Sequence, residues 1–123
     1  MATSSQPKIL AFKAGADLSA KQFCFVKFGA DAETVVLCGA GEKAIGVLQN
    51  NPALGQVAEV AIMHGGAKVK SAGVIALGDL IASDANGLAV VASTSGHFIV
   101  GQAFEAGVAN KVIHAELSPS LKP

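Results

Sequence analysis

Arginine, tryptophan and tyrosine are all absent from these 123 residues, and charged side chains make up only 15% of them. The nine basic residues are all lysine and are balanced by nine acidic ones, so the formal net charge is zero. Without arginine there is no planar fork to grip phosphates or guanine edges. Without tryptophan or tyrosine there is little to stack on bases. Together these absences exclude a nucleic-acid partner. Lys68 and Lys70, in "AKVKS", point to one side of a short strand and read as a solvated face. No apolar run approaches the ~18 residues of a membrane span. The opening "MATSSQP" carries no charged-then-apolar leader pattern, so a soluble product made in the cytoplasm is expected. A typical soluble domain has about 25% charged residues. A surface this poor in charge favours a constitutive oligomer or a large assembly over a free monomer.

Cysteine is scarce too. Cys24 and Cys38 are the only two, with no CxxC spacing or Cys/His cluster to suggest a metal. Their segments could be neighbouring strands, which leaves a cross-strand bridge geometrically open. Two reduced thiols acting as small buried hydrophobes is the favoured reading for a cytoplasmic product.

What is present is apolar and finely divided: 51% hydrophobic residues, much of it alanine, with 14 glycines. The chain is long enough for one domain with its own core. Residues 1–7 are small and polar and read as a flexible arm. "KILAFK" (8–13) sets Ile9, Ala11 and Lys13 against Lys8, Leu10 and Phe12, as a short strand does. "QFCFVKF" (22–28), "TVVLCG", "AIGVLQN", "AKVKS", "HFIVGQAF" (97–104) and "KVIHAEL" (111–117) are further strands. Residues 118–123 read as a short tail. Leu54, Val57, Ala58, Ala61 and Ile62 also fit a helical stripe, but the run from Gln56 to Met63, bounded by glycines, has strand length. Asp84, Ala85, Asn86 and Gly87 form a hairpin loop in which Asn86 and Gly87 tolerate positive φ. About ten short, mainly antiparallel strands at intervals of about 8–12 residues predict an all-β barrel or sandwich in one compact domain, residues 8–117.

No catalytic constellation emerges, and the chain is read as a non-enzyme without cofactor, metal or small-molecule substrate. His64, His97 and His114 are isolated and lack ligand spacing. Asp79 and Asp84 lie in turn sequences, where a carboxylate bonds nearby N–H groups. Ser93 and Ser95 have no nucleophile-elbow glycines around them. "CGAGEKAIG" is neither a P-loop nor a dinucleotide fingerprint. A biotin or lipoyl carrier would need a lysine at its hairpin tip, where this chain has "DANG".

From residue 44 to 117 the order of elements resembles the capsid cement (head decoration) proteins of tailed bacteriophages. That family runs G-V-x-Q-N-x-P, A-x-V-x-x-x-G, K-V-x-A-G, G-D-x-x-x-S-D-x-x-G and V-G-x-A-x-E-A. Here "GVLQNNP", "GDLIASDANG" and "VGQAFEAG" fit these patterns, while "AEVAIMHGG" and "KVKSAG" each carry one extra residue before the closing glycine or Ala-Gly. The resemblance implies a structural protein synthesised in a bacterial host's cytoplasm. It would sit on the outer surface of an expanded head as a homotrimer, with the major capsid protein as partner, and hold the shell against internal DNA pressure. It implies no membrane partner. An extended arm could then add a strand to a shell-protein sheet, which would make Lys8, Ile9, Leu10, Ala11 and Phe12 shell-binding residues. The competing expectation is that "KILAFK" is an ordinary core strand. A different class of function, a small β-barrel module binding a carbohydrate or cell-surface ligand, is the alternative.

Overall fold

The computed structural model describes residues 8–62, 65–92 and 97–121. The expected arm, residues 1–7, lies outside these, as do His64, Ser93 and Ser95. Short apolar runs cut by turn residues leave each segment one efficient way to bury side chains, as a strand. Ten strands form: β1 (Lys8–Ala14), β2 (Phe25–Phe28), β3 (Thr34–Leu37), β4 (Gly46–Leu48), β5 (Val57–Ile62), β6 (Gly65–Lys70), β7 (Leu80–Ser83), β8 (Ala89–Val91), β9 (Phe98–Ala103) and β10 (Val112–Leu121). The fold is all-β, as the turn spacing predicts, and the segment with the rival helical stripe is β5.

Strands β1, β3, β2, β4 and β5 close in that order into a barrel, and the rest form a sheet ordered β6-β10-β9-β7-β8. Neighbours are antiparallel except β1 and β3, which run parallel and meet only at Lys13–Thr34 and Ala14–Val35. In the second sheet, a parallel bridge between Ser71 and Ala89 draws the end of β6 towards β8.

Period-two alternation sends successive side chains of the barrel strands into two different cores. Val26, Val35, Leu48, Ala58 and Val60 fill the barrel with Ala14 and Leu18. Their neighbours Phe25, Val47 and Ala61 point the other way and pack with Val69, Ile81, Val100, Ile113, Ala115 and Leu117 of the second sheet. That is why "GVL" of β4 is buried throughout. Phe25 has no exposed surface, and its burial contributes about 2–3 kcal/mol. Main-chain bonds also join the two sheets: the Phe25 N–H donates to the Gly87 carbonyl at 2.7 Å, Lys70 N–H to Phe23 at 3.0 Å and Gly41 N–H to Ser83 at 3.0 Å.

Several boundaries differ from those expected. The strand anticipated over 22–28 begins at Phe25, because Phe23 has φ of 71° and breaks the extended run. Its N–H donates instead to the Leu48 carbonyl at 2.7 Å. Residues 118–121, expected as tail, continue β10: after a register shift between Leu117 and Ser120, Ser120 pairs with Ile99 and Leu121 with Phe98. "KILAFK" is a barrel strand, paired with β5 from Lys8–Ile62 to Lys13–Val57. One edge of the strand expected to bind the shell is thus taken up within the chain. The reason is packing: Leu10 lies opposite Val60, and Phe12 joins the barrel core opposite Ala58.

Candidate interaction surfaces

The hairpin loop after β7 is built by one carboxylate. Asp84 Oδ1 accepts the N–H groups of Asn86 at 2.8 Å and Leu88 at 2.9 Å, while the Asp84 N–H donates to the Leu88 carbonyl at 2.8 Å. Gly87 takes the left-handed conformation, φ 75°. Asn86 does not; the non-glycine residues with positive φ among those described are Phe23 and Asn110. A Cβ on Gly87 would lie 2.7 Å from Leu37 Cδ1 and 2.9 Å from the Phe25 carbonyl oxygen. The loop therefore serves as a seam between the two sheets as well as a turn.

Several polar groups elsewhere pair with one another or with main chain. Asp79 Oδ2 accepts the Ala76 N–H at 2.9 Å, closing the turn before β7. His114 Nε2 lies 2.9 Å from Glu116 Oε2, and Lys68 stands opposite His114 on β6. Glu105 accepts the His114 N–H at 3.0 Å, which holds its carboxyl below the usual glutamate value. Lys27 and Glu42 pair at 2.7 Å, and this bond, with the Gly39 N–H, lowers the Glu42 carboxyl. His97 packs its ring against Gly41, where a Cβ would overlap it. Cys24 and Cys38 are buried free thiols, and burial pushes both above the ordinary value. Among the described residues no three of His, Cys, Asp and Glu converge as metal ligands would.

The anticipated shell-binding residues occupy one barrel edge. Lys13 N–H donates to Glu33 on the β3 side at 2.7 Å, whereas Ala14 N–H donates to Gln56 at 2.9 Å and Ala14 C=O accepts from Gly55. Alternation along the ladder then turns the main-chain groups of Leu10 and Phe12 to β5, and those of Ile9 and Ala11 outward. Across the ladder, Gln49 N–H reaches the carbonyl of Glu59, the partner of Ala11, from the β4 side, which confirms that phase. Because β3 begins only opposite Lys13, no described strand covers the outer edge of Lys8–Phe12. Ile9 and Leu10 are exposed beside it, and Phe12 meets exposed Phe28 edge-on at 6.1 Å. Sequence periodicity located this strand but not its half-covered edge, which depends on where a non-adjacent strand starts.

No model of a known protein family matches the sequence, and comparison with curated proteins finds no match. Among solved structures, the N base of head fiber gp8.5 of bacteriophage phi29 superposes with a TM-score of 0.71. The match covers 92% of this chain and 95% of that one, at 16% sequence identity. This chain has the fold of a phage head-fiber base. The shared fold includes both the barrel and the second sheet, since little of either chain is left out.

Proposed function

We propose that this chain is a capsid cement protein that binds the outer surface of an expanded phage head as a homotrimer and braces the shell against packaged DNA. The observation carrying the reading is the near full-length likeness of fold to a phage head-fiber base. The sequence resemblance to cement proteins and the charge-poor composition point the same way. Such a role requires rigid sheet and complementary surfaces but no reacting group.

The shell contact in this reading is the open edge of Lys8–Phe12. The outward N–H and C=O groups of Ile9 and Ala11 would pair with an extended strand of the major capsid protein, side chains alternating to set register. Each such contact is small. Three carried on one body bind at high effective concentration, so the assembly holds where one copy would exchange. Co-sedimentation with purified heads tests the reading. The chain should pellet with expanded heads and not with immature shells, at a multiple of three per site, and should raise the temperature at which heads release DNA. Failure to bind either kind of shell refutes it.

A further inference from the structure

Two loops of the second sheet expose apolar side chains that the fold itself leaves uncovered. Residues 72–79 precede β7, and residues 104–111 join β9 to β10. Ile75 and Gly107 exchange N–H···O=C bonds at 3.0 and 2.9 Å, which clasps the loops into a short antiparallel pair. Ile75 is buried, so alternation places Val74 and Ala76 of one loop beside Val108 and Ala106 of the other on the outer face. Val74 is 79% exposed, Leu77 72%, Val108 57% and Phe104 52%.

This patch is held rigidly. The hydroxyl of buried Ser71 donates to the carbonyls of Val108 at 2.5 Å and Lys111 at 3.0 Å, a shared bond under the second loop. Asn110 N–H donates to Ser71 C=O at 2.8 Å, with Asn110 at φ 66°, a conformation asparagine accepts. Asp79 fixes the first loop through the Ala76 N–H. A slack loop would fold its apolar side chains inward; these are fastened facing water.

We propose that the clasped loops are the surface through which copies of this chain meet. The charge of the loops suits a second copy as the occupant. The loops contain three ionisable groups: Asp79, turned onto the main chain, and Glu105 and Lys111, paired at 3.6 Å. Around a three-fold axis the patches of three copies can therefore converge without like-charge repulsion, and zero net charge removes longer-range repulsion between copies. Size agrees. The exposed side chains amount to roughly 400 Å², within the ~300–600 Å² of the largest apolar patch on a typical lone protein, a patch that is often functional. That is about half of the ~800 Å² each partner gives a standard interface, suited to its dry centre. This deepens the trimer of the proposed function by stating where its subunits touch, and it leaves the β1 edge free for the shell.

Light scattering and sedimentation velocity on the full chain at about 50 μM, a usual working range for modest interfaces, test it. The native chain should run at three times the chain mass. A Val74→Asp/Val108→Asp variant should be folded by circular dichroism and run as a single chain, with self-association weakened about a hundredfold or more by the carboxylates it would bury. As a second measurement, oxidised Val108→Cys chains should cross-link between copies, the native thiols being buried. A trimer that survives both aspartates, or a Val108→Cys chain that does not cross-link, overturns this surface while leaving the trimer standing. A native chain that is monomeric overturns both. A variant that stays trimeric but no longer pellets with heads assigns the patch to the shell and overturns the proposal.

Discussion

Proline scanning of β1 separates its two edges. Proline lacks an N–H, and a strand tolerates it only where that N–H would face outward. At Ala11 the N–H faces the open edge, so Ala11→Pro keeps the β5 ladder and removes one donor from any docked strand. At Leu10 the N–H belongs to the β5 ladder, so Leu10→Pro breaks a barrel bond and leaves a carbonyl of β5 unpaired. A lost main-chain bond with an unsatisfied partner costs about 1–3 kcal/mol. For a domain of this size each kcal/mol moves Tm by roughly 3–6 °C. Leu10→Pro should therefore lower Tm by about 5–15 °C on that scale, whereas Ala11→Pro should stay within about 3 °C. In head binding the order reverses. Ala11→Pro removes about 1 kcal/mol per docked strand, a factor of about five. Across three subunits this compounds to a hundredfold or so in avidity. Scanning calorimetry and co-sedimentation with heads read the two effects on the same samples. A stable Ala11→Pro chain that binds heads as tightly as the native one refutes strand addition at this edge. A Leu10→Pro chain of unchanged Tm refutes the phase of the ladder.

Gly87→Val should lose about 1–3 kcal/mol for the left-handed backbone alone, and more for overlap with Leu37 and the Phe25 carbonyl; urea denaturation at constant m checks it. Deleting residues 1–12 should abolish cooperative unfolding, because it removes the strand that closes the barrel onto β5, and a folded product by circular dichroism would contradict the pairing. Cys24 and Cys38 should resist a thiol reagent at pH 8 in the native state and react on unfolding, since burial both raises their titration and blocks access. Asp31, Glu42 and Glu105 are all lowered, by hydrogen bonds from Thr34, Lys27 and His114 respectively. Their contribution is thus present above the ordinary values of 3.8 for Asp and 4.5 for Glu and is lost as pH falls below them, so Tm should drop on the acid side there.

The strands themselves were legible in the sequence because alternation and turn residues are local signals. β5 could be told from a helix by its bounding glycines, and Asp84 could be placed in a turn by its neighbours. What the sequence hid depends on distant parts of the chain. Nothing near Phe23 announces a left-handed backbone; its carbonyl is held by the N–H of Lys70, 47 positions away. Residues 118–121 read as tail, yet Pro119 falls in the register shift of β10, where a strand can accommodate a missing N–H. The open edge of β1 follows from the parallel pairing with β3, which no short-range pattern encodes. Val74, Leu77 and Val108 show no alternation and are framed by glycine and alanine, and Phe104 reads as the end of a strand that in fact stops at Ala103, so only the Ile75–Gly107 clasp groups them.

The seams between barrel and sheet are made by main-chain atoms: Phe25 to Gly87, Lys70 to Phe23 and Gly41 to Ser83. A main-chain bond is indifferent to the side chain beside it, provided the residue is small enough or takes the right φ. The architecture thus constrains few identities: glycine where Gly87 turns against Phe25, and glycine at Gly46 and Gly101, where a Cβ would overlap the Ala61 and Glu116 carbonyls. Most other positions need only an apolar side chain of suitable size on the correct face. Two chains can then agree at 16% of positions and still superpose over 92% of one of them. A sequence search sees the first number, and a backbone comparison sees the second.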